Sequence, residues 1–299
     1  MLKKHSSKYL LKKAKHYSDN FNNRKAITYL DKLLSLDRDN LDALLLKGLS
    51  HAFLFEKDES LDCFNRALEI DSNNLNVYLK KGVACYYLEE YELAISAFNK
   101  IIETVPDEPF SLNHIGSCYL YLNEYDRAFT YFDKVLTDDS ENTDALLNMS
   151  LYYNELEMYD ESLDCLNRLL KINPCVGAAF LQMSNVYKNK GDYPKAIECI
   201  DNVLKQNPND LMSQITKYLL HAYNGEYELS LNGFKSISVS DFDNHGMISM
   251  YYSYYGYALE EMGKYTEAIN IYDEYLRKYD KFPTKEIEEQ KNRILNKKM

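Results

Sequence analysis

The sequence has no tryptophan, only ten glycines and six prolines among its 299 residues, and no long apolar run. The scarcity of Gly and Pro leaves little room for flexible linkers or disordered segments. The six cysteines form neither a CxxC pair nor a dense secreted framework, so we expect reduced thiols in a cytoplasmic protein. The N-terminal segment lacks an apolar stretch of signal-peptide length, and the longest uncharged run, residues 244–259, is too short to span a membrane.

Positive charge is also scarce in the central part of the chain. The formal net charge is −11, although residues 1–15 carry six Lys and no acid. Residues 16–277 hold 22 basic and 42 acidic side chains, a net charge of −20. A protein with this negative charge repels nucleic-acid phosphates and favours cationic partners. The same charge also promotes solubility. We therefore expect neither nucleic acid nor a membrane as the partner.

What the sequence does contain is a repeat. A small residue recurs every 34 positions, with a last step of 38, in the series Ala26, Ser60, Ala94, Ala128, Ser162, Ala196, Ser230 and Ala268. Four positions after each comes a bulky residue, in the series Leu30, Phe64, Phe98, Phe132, Leu166, Ile200, Phe234 and Tyr272. Because residues i and i+4 share a helical face, the two series predict one supersecondary unit copied eight times.

Glycine and proline mark the boundaries within each repeat. The fifteenth place holds Gly191, Gly225 and Gly263, which predicts a turn after a first helix. The thirty-second place holds Pro106, Pro174 and Pro208, which predicts the end of a second helix. The eighth place, inside the first helix, holds Gly48, Gly82, Gly116 and Gly256. A mid-helix Gly costs about 1 kcal/mol relative to Ala, so its recurrence predicts the close approach of another backbone.

Tyrosine also recurs, just after the predicted turn, at Tyr91, Tyr125, Tyr159, Tyr193, Tyr227 and Tyr265. A ring at this place can pack between helices while its hydroxyl reaches the rim. We interpret these tyrosines as structural.

Residues 75–108 (LNVYLKKGVACYYLEEYELAISAFNKIIETVPDE) and 177–210 (GAAFLQMSNVYKNKGDYPKAIECIDNVLKQNPND) combine these spaced residues. The pattern resembles the tetratricopeptide repeat (TPR) family over residues 7–282. The first repeat departs from it at Ala14, Asn23 and Arg38, and the second at Lys57. The resemblance implies an all-α solenoid, in which about eight helix-turn-helix repeats form a right-handed superhelix and their first helices line a concave groove.

The chain is predicted to divide into three parts. A basic tail occupies residues 1–6, and a capping helix occupies residues 283–299, with Ile287, Ile294 and Leu295 on one side to cover the last repeat. The repeats are 7–40, 41–74, 75–108, 109–142, 143–176, 177–210, 211–248 and 249–282. Four extra residues within Ser236–Gly246 predict a kink or a looser interface before the last repeat.

The resemblance assigns places 2, 5, 9 and 13 of the first helix to the groove. In the second to fourth repeats this stripe is largely apolar and aromatic, and contiguous exposed apolar surface usually marks an interaction site. The predicted peptide-binding residues are Leu45, Leu49, Phe53, Leu79, Val83, Tyr87, Asn113, Ser117 and Tyr121. The same residues could instead pack adjacent repeats or a folded-back terminus.

Further along the chain the stripe changes character. It becomes polar at Asp144, Leu147, Leu151, Glu155, Ala178, Leu181, Asn185 and Asn189. It is again more apolar, with flexible Met side chains that can adapt to varied partners, at Met212, Ile215, Leu219, Tyr223, Met250, Ser253 and Tyr257. Acidic residues surround the polar part, so the partner could be apolar at one end and basic at the other. A solvated acidic face explains those charges equally well.

The sequence predicts no catalytic residue, cofactor or metal. His51 and His221 share a core-facing place, and Cys63, Cys165 and Cys199 share another, which suggests packing roles. His114 and Cys118 are i,i+4 neighbours, but two ligands do not make a metal site.

We therefore expect a non-enzymatic scaffold or adaptor that binds a peptide segment or helix of a protein partner. Two alternatives remain: a regulatory or self-assembling protein whose enzyme is a separate chain, and an RNA-binding helical repeat. The strict 34-residue period and the negative body argue against RNA. The sequence specifies neither the partner's identity nor the oligomeric state.

Overall fold

The computed structural model describes residues 2–242, 245–279 and 284–297, which form 17 α-helices and no strand. The first helices of the repeats are α1 (Leu2–Asp19), α3 (Leu41–Ala52), α5 (Leu75–Tyr87), α7 (Pro109–Tyr121), α9 (Thr143–Glu155), α11 (Gly177–Asn189), α13 (Leu211–Tyr223) and α15 (His245–Glu261). The second helices are α2 (Asn23–Leu36), α4 (Lys57–Ile70), α6 (Tyr91–Ile102), α8 (Tyr125–Asp138), α10 (Tyr159–Ile172), α12 (Tyr193–Gln206), α14 (Tyr227–Ser236) and α16 (Tyr265–Lys278). Helix α17 (Lys285–Lys297) follows. The predicted all-α helical-repeat fold is confirmed.

Two compact parts divide the chain, an N-terminal half of residues 1–152 and a C-terminal half of residues 153–299. In the N-terminal half, α1 packs on α2, α3 on α4, α5 on α6 and α7 on α8. The first helices also contact one another there, α3 with α5 and α5 with α7. In the C-terminal half, α11 packs on α12, α13 on α14 and α15 on α16. Repeats therefore stack on their neighbours within each half.

The helix ends follow local signals in the sequence. At Asn40 and Asn74 the side-chain oxygen accepts a hydrogen bond from a backbone N–H of the first turn, and the Glu108 carboxylate does the same for α7. Pro106 follows the end of α6, as Pro174 and Pro208 follow α10 and α12. A residue without an N–H cannot extend a helix, so the predicted stops are confirmed.

All eight turns between paired helices use the left-handed backbone region at the fifteenth place. Gly191, Gly225 and Gly263 have φ of 77°, 76° and 71° there, as the sequence predicted. Non-glycine residues occupy the other five turns with φ between 55° and 61°: Phe21, Phe55, Glu89, Asn123 and Glu157. The turn geometry is thus common to every repeat, and five repeats adopt it without glycine, at a steric cost.

The series of small and large residues that defines the repeat forms the core. Every small member from Ala26 to Ala268 is completely buried, and so is its bulky partner four residues later, to within 1%. Ser60 also donates a hydrogen bond of 2.9 Å to the carbonyl of Gly48 on the facing helix. Each repeat therefore closes its two helices around the same pair of places.

The glycines at the eighth place face an aromatic ring, and the expected close approach of a second backbone is wrong. A Cβ atom on Gly48, Gly82 or Gly116 would lie 2.8, 2.7 or 2.5 Å from the ring of Phe64, Phe98 or Phe132. At Gly256 the ring is that of Tyr272, at 2.2 Å. Glycine recurs here because the bulky residue of the facing helix fills the space that a Cβ would need.

The four extra residues before the last repeat change three elements. Helix α14 is shortened to 10 residues, a 3-10 turn covers Val239–Asp241, and α15 is lengthened to 17 residues. Ile237 and Phe242 are buried, and the Phe242 ring lies 5.6 Å from that of Tyr251. The insertion therefore adds apolar side chains to the core, and residues 243 and 244 lie outside the described residues. The kink stays a prediction.

The two ends differ in detail from the sequence-based boundaries. Helix α1 begins at Leu2, so the predicted tail is helical from that residue, because residues 2–6 contain no Gly or Pro to stop a helix. Helix α17 packs on α15 and α16 and buries Ile287 and Ile294. Leu295 is exposed, contrary to expectation, since it lies about 80° around the helix from Ile287. Residues 283, 298 and 299 lie outside the described residues.

No helix in the described ranges is long and apolar enough to cross a membrane.

Candidate functional site

Aromatic rings from neighbouring repeats meet on the first-helix face of the N-terminal half. Phe53 follows the last residue of α3, and Tyr87 is the last residue of α5. Their ring centroids are 5.1 Å apart with planes at 60°, an edge-to-face contact of the kind that aromatic pairs prefer. The repeat period places these two rings at equivalent positions, and the direct contact of α3 with α5 brings them together.

Tyr86 extends this contact to the next repeat. Its ring lies 6.1 Å from Tyr87 and 5.9 Å from Tyr121, the last residue of α7. Tyr91 stacks on Tyr121 at 5.1 Å with an interplanar angle of 6°. We call Phe53, Tyr86, Tyr87, Tyr91 and Tyr121 the aromatic strip. The sequence pattern missed Tyr86 because it lies outside the stripe, and it identified Tyr91 only as a structural residue, although that ring supports Tyr121.

Three rings of the aromatic strip remain accessible. Phe53 is 41% exposed, Tyr87 51% and Tyr121 55%. Tyr86 is more enclosed, and burial raises the pKa of its hydroxyl. The strip is therefore a partly buried, rigid aromatic surface with three exposed edges.

The other predicted groove residues differ in accessibility. Leu49, Leu79 and Val83 are half-buried beside the strip, where they can offer part of their surface. Leu45 is buried in the hydrophobic core of the first repeats and has little surface left for a ligand. Asn113 and Ser117 are also buried, but both line a cavity of about 230 Å³.

That cavity, which we call the Asn113 pocket, adjoins the aromatic strip through the shared residue Tyr86. Its lining comes from α5, α7 and the first turns of α9, and consists of Tyr86, Phe110, Asn113, His114, Ser117, Asp144, Leu147 and Asn148. Ser117 donates a hydrogen bond of 2.9 Å to the backbone carbonyl of Asn113. The pocket thus joins apolar walls to several polar groups.

His114 is held in place by three rings and one hydrogen bond. The centroid of its ring is 4.1 Å from that of Phe110, 5.2 Å from Phe98 and 5.6 Å from Tyr86. Nδ1 lies 2.9 Å from the Phe110 carbonyl oxygen, which can only accept, so Nδ1 carries the proton. Burial lowers the pKa of His114, while the hydrogen bond to the Phe110 carbonyl and the charges of Asp144 and Glu108 act in the opposite direction. The imidazole is therefore neutral at pH 7.

The packing roles predicted for two histidines and three cysteines are confirmed in part. Cys63, Cys165 and Cys199 are free and buried, and burial raises the pKa of each thiol to about 11. His51 is buried, but it also places Nδ1 2.6 Å from a carboxylate oxygen of Glu56. His221 makes the equivalent contact with Glu226. These histidines therefore also tie the first helix to the turn that follows it.

His114 and Cys118 do not form a metal site. Cys118 is buried in the core, where burial raises the thiol pKa to about 12, and His114 uses Nδ1 on the backbone. Within the described part of the chain, no three His, Cys, Asp or Glu side chains are grouped so that they could hold a metal ion.

The later parts of the predicted stripe are more mixed. In the C-terminal half the side-chain Nδ2 of Asn189 donates a hydrogen bond of 3.2 Å to the side-chain Oδ1 of Asn154, which links the ends of two first helices. Ile215 and Leu219 are buried in the core, so part of the adaptable apolar surface predicted for the last two repeats is not accessible. Tyr223 stacks on Tyr193 with ring centroids 5.5 Å apart, and its ring lies 5.4 Å from that of Tyr257 with the planes at 50°.

Successive helix pairs, a common turn geometry and stacking between neighbours define an all-α protein of the helix-turn-helix repeat class. A family model described as Tetratricopeptide repeat matches residues 41–74, 75–107, 111–141, 143–174 and 178–210, and a second with that description matches residues 252–281. The chain therefore belongs to the tetratricopeptide repeat family. The helix pairs of repeats 7–40 and 211–248 lie outside these matches, and no curated protein matches the chain in sequence.

Solved structures share this fold at low sequence identity. A tetratricopeptide repeat protein from Parabacteroides merdae superposes with a TM-score of 0.64 at 19% identity, covering 83% of this chain and 98% of that one. Human IFIT1, solved as a dimer with m7Gppp-AAAA, gives a TM-score of 0.69 at 15% identity and covers 96% of this chain and 72% of that one. PilF from Pseudomonas aeruginosa gives 0.52 at 18% identity, covering 72% and 97%.

Tetratricopeptide repeats are protein-interaction modules and are generally not enzymes. Membership of the family therefore makes this chain a repeat scaffold for protein interaction.

Proposed function

We propose that the first-helix face of the N-terminal half binds a peptide segment or a helix of a protein partner, with the aromatic strip as its main contact surface. The observation that carries the proposal is the contact between Phe53 and Tyr87, which leaves 41% and 51% of these side chains exposed. Aromatic residues held rigidly in this way lose little conformational entropy on binding and are frequent interface hot spots.

The half-buried Leu49, Leu79 and Val83 extend the same surface with aliphatic side chains. A segment that covers the strip would bury apolar area from three successive repeats. All six cysteines are free, which fits a reducing compartment and supports the cytoplasmic location that is part of this proposal.

The test is partner capture by a strip variant against a matched control. Phe53→Ala, Tyr87→Ala and Tyr121→Ala together remove the three exposed rings of the strip. The control, Tyr9→Ala, Phe21→Ala and Phe129→Ala, removes three exposed rings elsewhere in the same half. Partners crosslinked in a native lysate are identified by mass spectrometry, purified and titrated against each protein.

We expect the strip variant to lose at least tenfold in affinity, because single hot-spot truncations cost about 2 kcal/mol or more. The control should bind as the unmodified protein does, and both variants should keep their helical circular dichroism. Equal binding by the strip variant would overturn the assignment of the site.

RNA is the runner-up ligand, because IFIT1 of similar fold was solved with m7Gppp-AAAA. A titration with single-stranded RNA at two salt concentrations decides this alternative, since phosphate contacts weaken steeply with salt. We expect no binding, given the net charge of −20 over residues 16–277. Light scattering of the purified protein tests the self-assembling alternative.

A further inference from the structure

Asn113, which lines the pocket, has a buried hydrogen-bond acceptor that the protein itself does not satisfy. Asn113 is only 4% exposed, and no donor lies within reach of its Oδ1. Buried polar groups normally have a partner, because leaving one unpaired costs free energy. Eight buried side-chain atoms of the described residues have no partner, and the Asn113 Oδ1 is the one whose residue lines the pocket beside the aromatic strip. A donor group of a ligand in this pocket would satisfy it.

The orientation of the Asn113 amide follows from its neighbour Asn142. The Asn142 Oδ1 accepts a hydrogen bond of 3.0 Å from the backbone N–H of Ala145 at the start of α9. Asn113 faces that same oxygen with Nδ2 at 3.4 Å, as a donor must. If the amide were flipped, two oxygens would face each other. The free atom is therefore the oxygen, and the ligand group must be a donor.

We propose that the Asn113 pocket binds the positively charged end of a lysine or arginine side chain of the partner segment. Asp144 is the one acidic side chain among its lining residues, and no Lys or Arg is among them. His114 adds no positive charge because burial keeps it neutral, and both Asp144 and Glu108 act electrostatically on it. The pocket thus offers a net negative charge and a buried oxygen to a cation that carries only donors.

The size and walls of the pocket match one long cationic side chain. Its volume of about 230 Å³ is below the range of roughly 300–1,000 Å³ that holds drug-sized ligands. Tyr86, Phe110 and Leu147 provide apolar walls along which a methylene stem can pack while the charged end reaches the polar groups. The aromatic rings also favour a cation held against their faces.

The inference rests on the proposed function only for the source of the cation, a residue of the partner segment. Through Tyr86 the pocket is continuous with the aromatic strip, so one segment could fill both. A partner with an apolar stretch beside a basic residue fits this arrangement.

The pocket can be tested without knowing the partner. The probe is N-acetyl-lysine amide, titrated into the full 15N-labelled chain while the side-chain amide signal of Asn113 is followed by NMR. N-acetyl-norleucine amide, which keeps the stem but lacks the ammonium group, is the matched control ligand. N-acetyl-glutamate amide tests for the opposite charge. We expect the lysine probe alone to shift the signal, with a Kd of about 1 mM for so small a molecule.

Two variants test the residues. Asn113→Leu keeps a similar shape but removes the acceptor and should weaken the lysine probe at least tenfold, as expected for about 1.5–3 kcal/mol from a hydrogen bond to a charged group. For this variant the titration is followed on the Asn148 side-chain amide. Asp144 is exposed, so Asp144→Asn leaves the core intact, and this variant should bind the lysine probe several-fold more weakly. Asp133→Asn, which removes the same charge from an exposed site on α8, should have no effect.

Three results would each overturn the pocket proposal. The first is an equal shift from the norleucine and lysine probes, and the second is binding of the glutamate probe. The third is an unchanged affinity for the lysine probe in both Asn113→Leu and Asp144→Asn. The two proposals fail separately. If the strip variant loses the partner while the lysine probe does not bind, the proposed function stands and the pocket fails. If the probe binds and the strip variant keeps its partner, the pocket stands and the proposed function fails.

Discussion

A Cβ atom on Gly116 would lie 2.5 Å from Cε1 of Phe132, a distance at which two carbon atoms clash. Phe132 is completely buried and cannot move its ring into solvent. The glycine and the ring are therefore complementary parts of one repeat, and the same relation recurs at Gly48 with Phe64 and at Gly82 with Phe98.

We expect Gly116→Ala to lower the free energy of unfolding by about 1–3 kcal/mol, because overpacking of the core outweighs the gain of about 1 kcal/mol in helix propensity. Urea unfolding followed by circular dichroism measures the change. Gly177→Ala is the matched control, since nothing lies within 4 Å of its Cβ position, and it should be neutral or stabilising. Combining Gly116→Ala with Phe132→Leu should cost less than the sum of the two single changes.

The turn after α3 contains a residue in an unfavourable conformation. Phe55 has φ of 59° and is 76% exposed, so its ring contributes little packing. We expect Phe55→Gly to raise the free energy of unfolding by about 0.5–1 kcal/mol, because glycine adopts this region without steric cost. The reciprocal change, Gly191→Ala at φ of 77°, should lower it by about 1 kcal/mol. A loss of stability in Phe55→Gly would show that the ring packs in solution.

The capping helix is tied to the last repeat by a partly buried ion pair. Arg293 Nη2 lies 2.5 Å from Oε2 of Glu260, whose side chain is only 4% exposed. Arg293→Ala leaves that carboxylate without its guanidinium partner, and we expect a loss of about 1–3 kcal/mol, reduced from the fully buried case because Arg293 is half exposed. Lys285→Ala, at the start of the same helix and 88% exposed, should have little effect.

Light scattering of Arg293→Ala should also show more association, since a loosened cap uncovers the apolar surface of α15 and α16. A variant with unchanged unfolding midpoint and unchanged mass would contradict the role of this pair.

His114 makes stability depend on pH in a defined direction. Burial lowers its folded-state pKa below the usual value of 6.5, so the unfolded chain binds this proton more strongly. The stabilising contribution of the neutral imidazole is complete above pH 6.5 and is lost as pH falls through that value towards the folded pKa. Tyr86, Phe98 and Phe110 surround the ring, and the carboxylates of Asp144 and Glu108 oppose the shift only in part.

We expect the difference in unfolding free energy between the unmodified protein and His114→Gln to shrink as pH falls from 7.5 to 5. The measurement is urea unfolding at each pH, and the comparison of two proteins removes the titration of all other groups. Protonation of His114 would also repel a cation in the Asn113 pocket, so affinity for the lysine probe should fall over the same range. A difference that does not change with pH would contradict the assigned environment of His114.

Local pattern was sufficient for most of the fold. The 34-residue series gave the helix positions, the glycines at the fifteenth place marked the turns, and Pro106, Pro174 and Pro208 marked the ends of second helices. These features depend on the periodicity of side chains along one helix and on backbone conformations that individual residues favour. They are encoded within a few residues of where they act, so they can be read without knowing how the repeats pack.

The candidate site was predictable only in outline. The stripe pointed to Phe53, Tyr87 and Tyr121, but not to Tyr86, which joins them, and it included Leu45, which is buried in the core.

Tertiary structure alone decided which rings meet and which polar atom stays unpaired. The neighbour of Gly116 is the Phe132 ring, and the unpaired oxygen of Asn113 depends on Asn142, the residue that precedes α9. Such contacts join residues 16 to 34 positions apart and depend on the distances and angles at which helices pack within and between repeats. A sequence pattern that defines the faces of single helices contains no measure of those angles, and the binding surface is built from them.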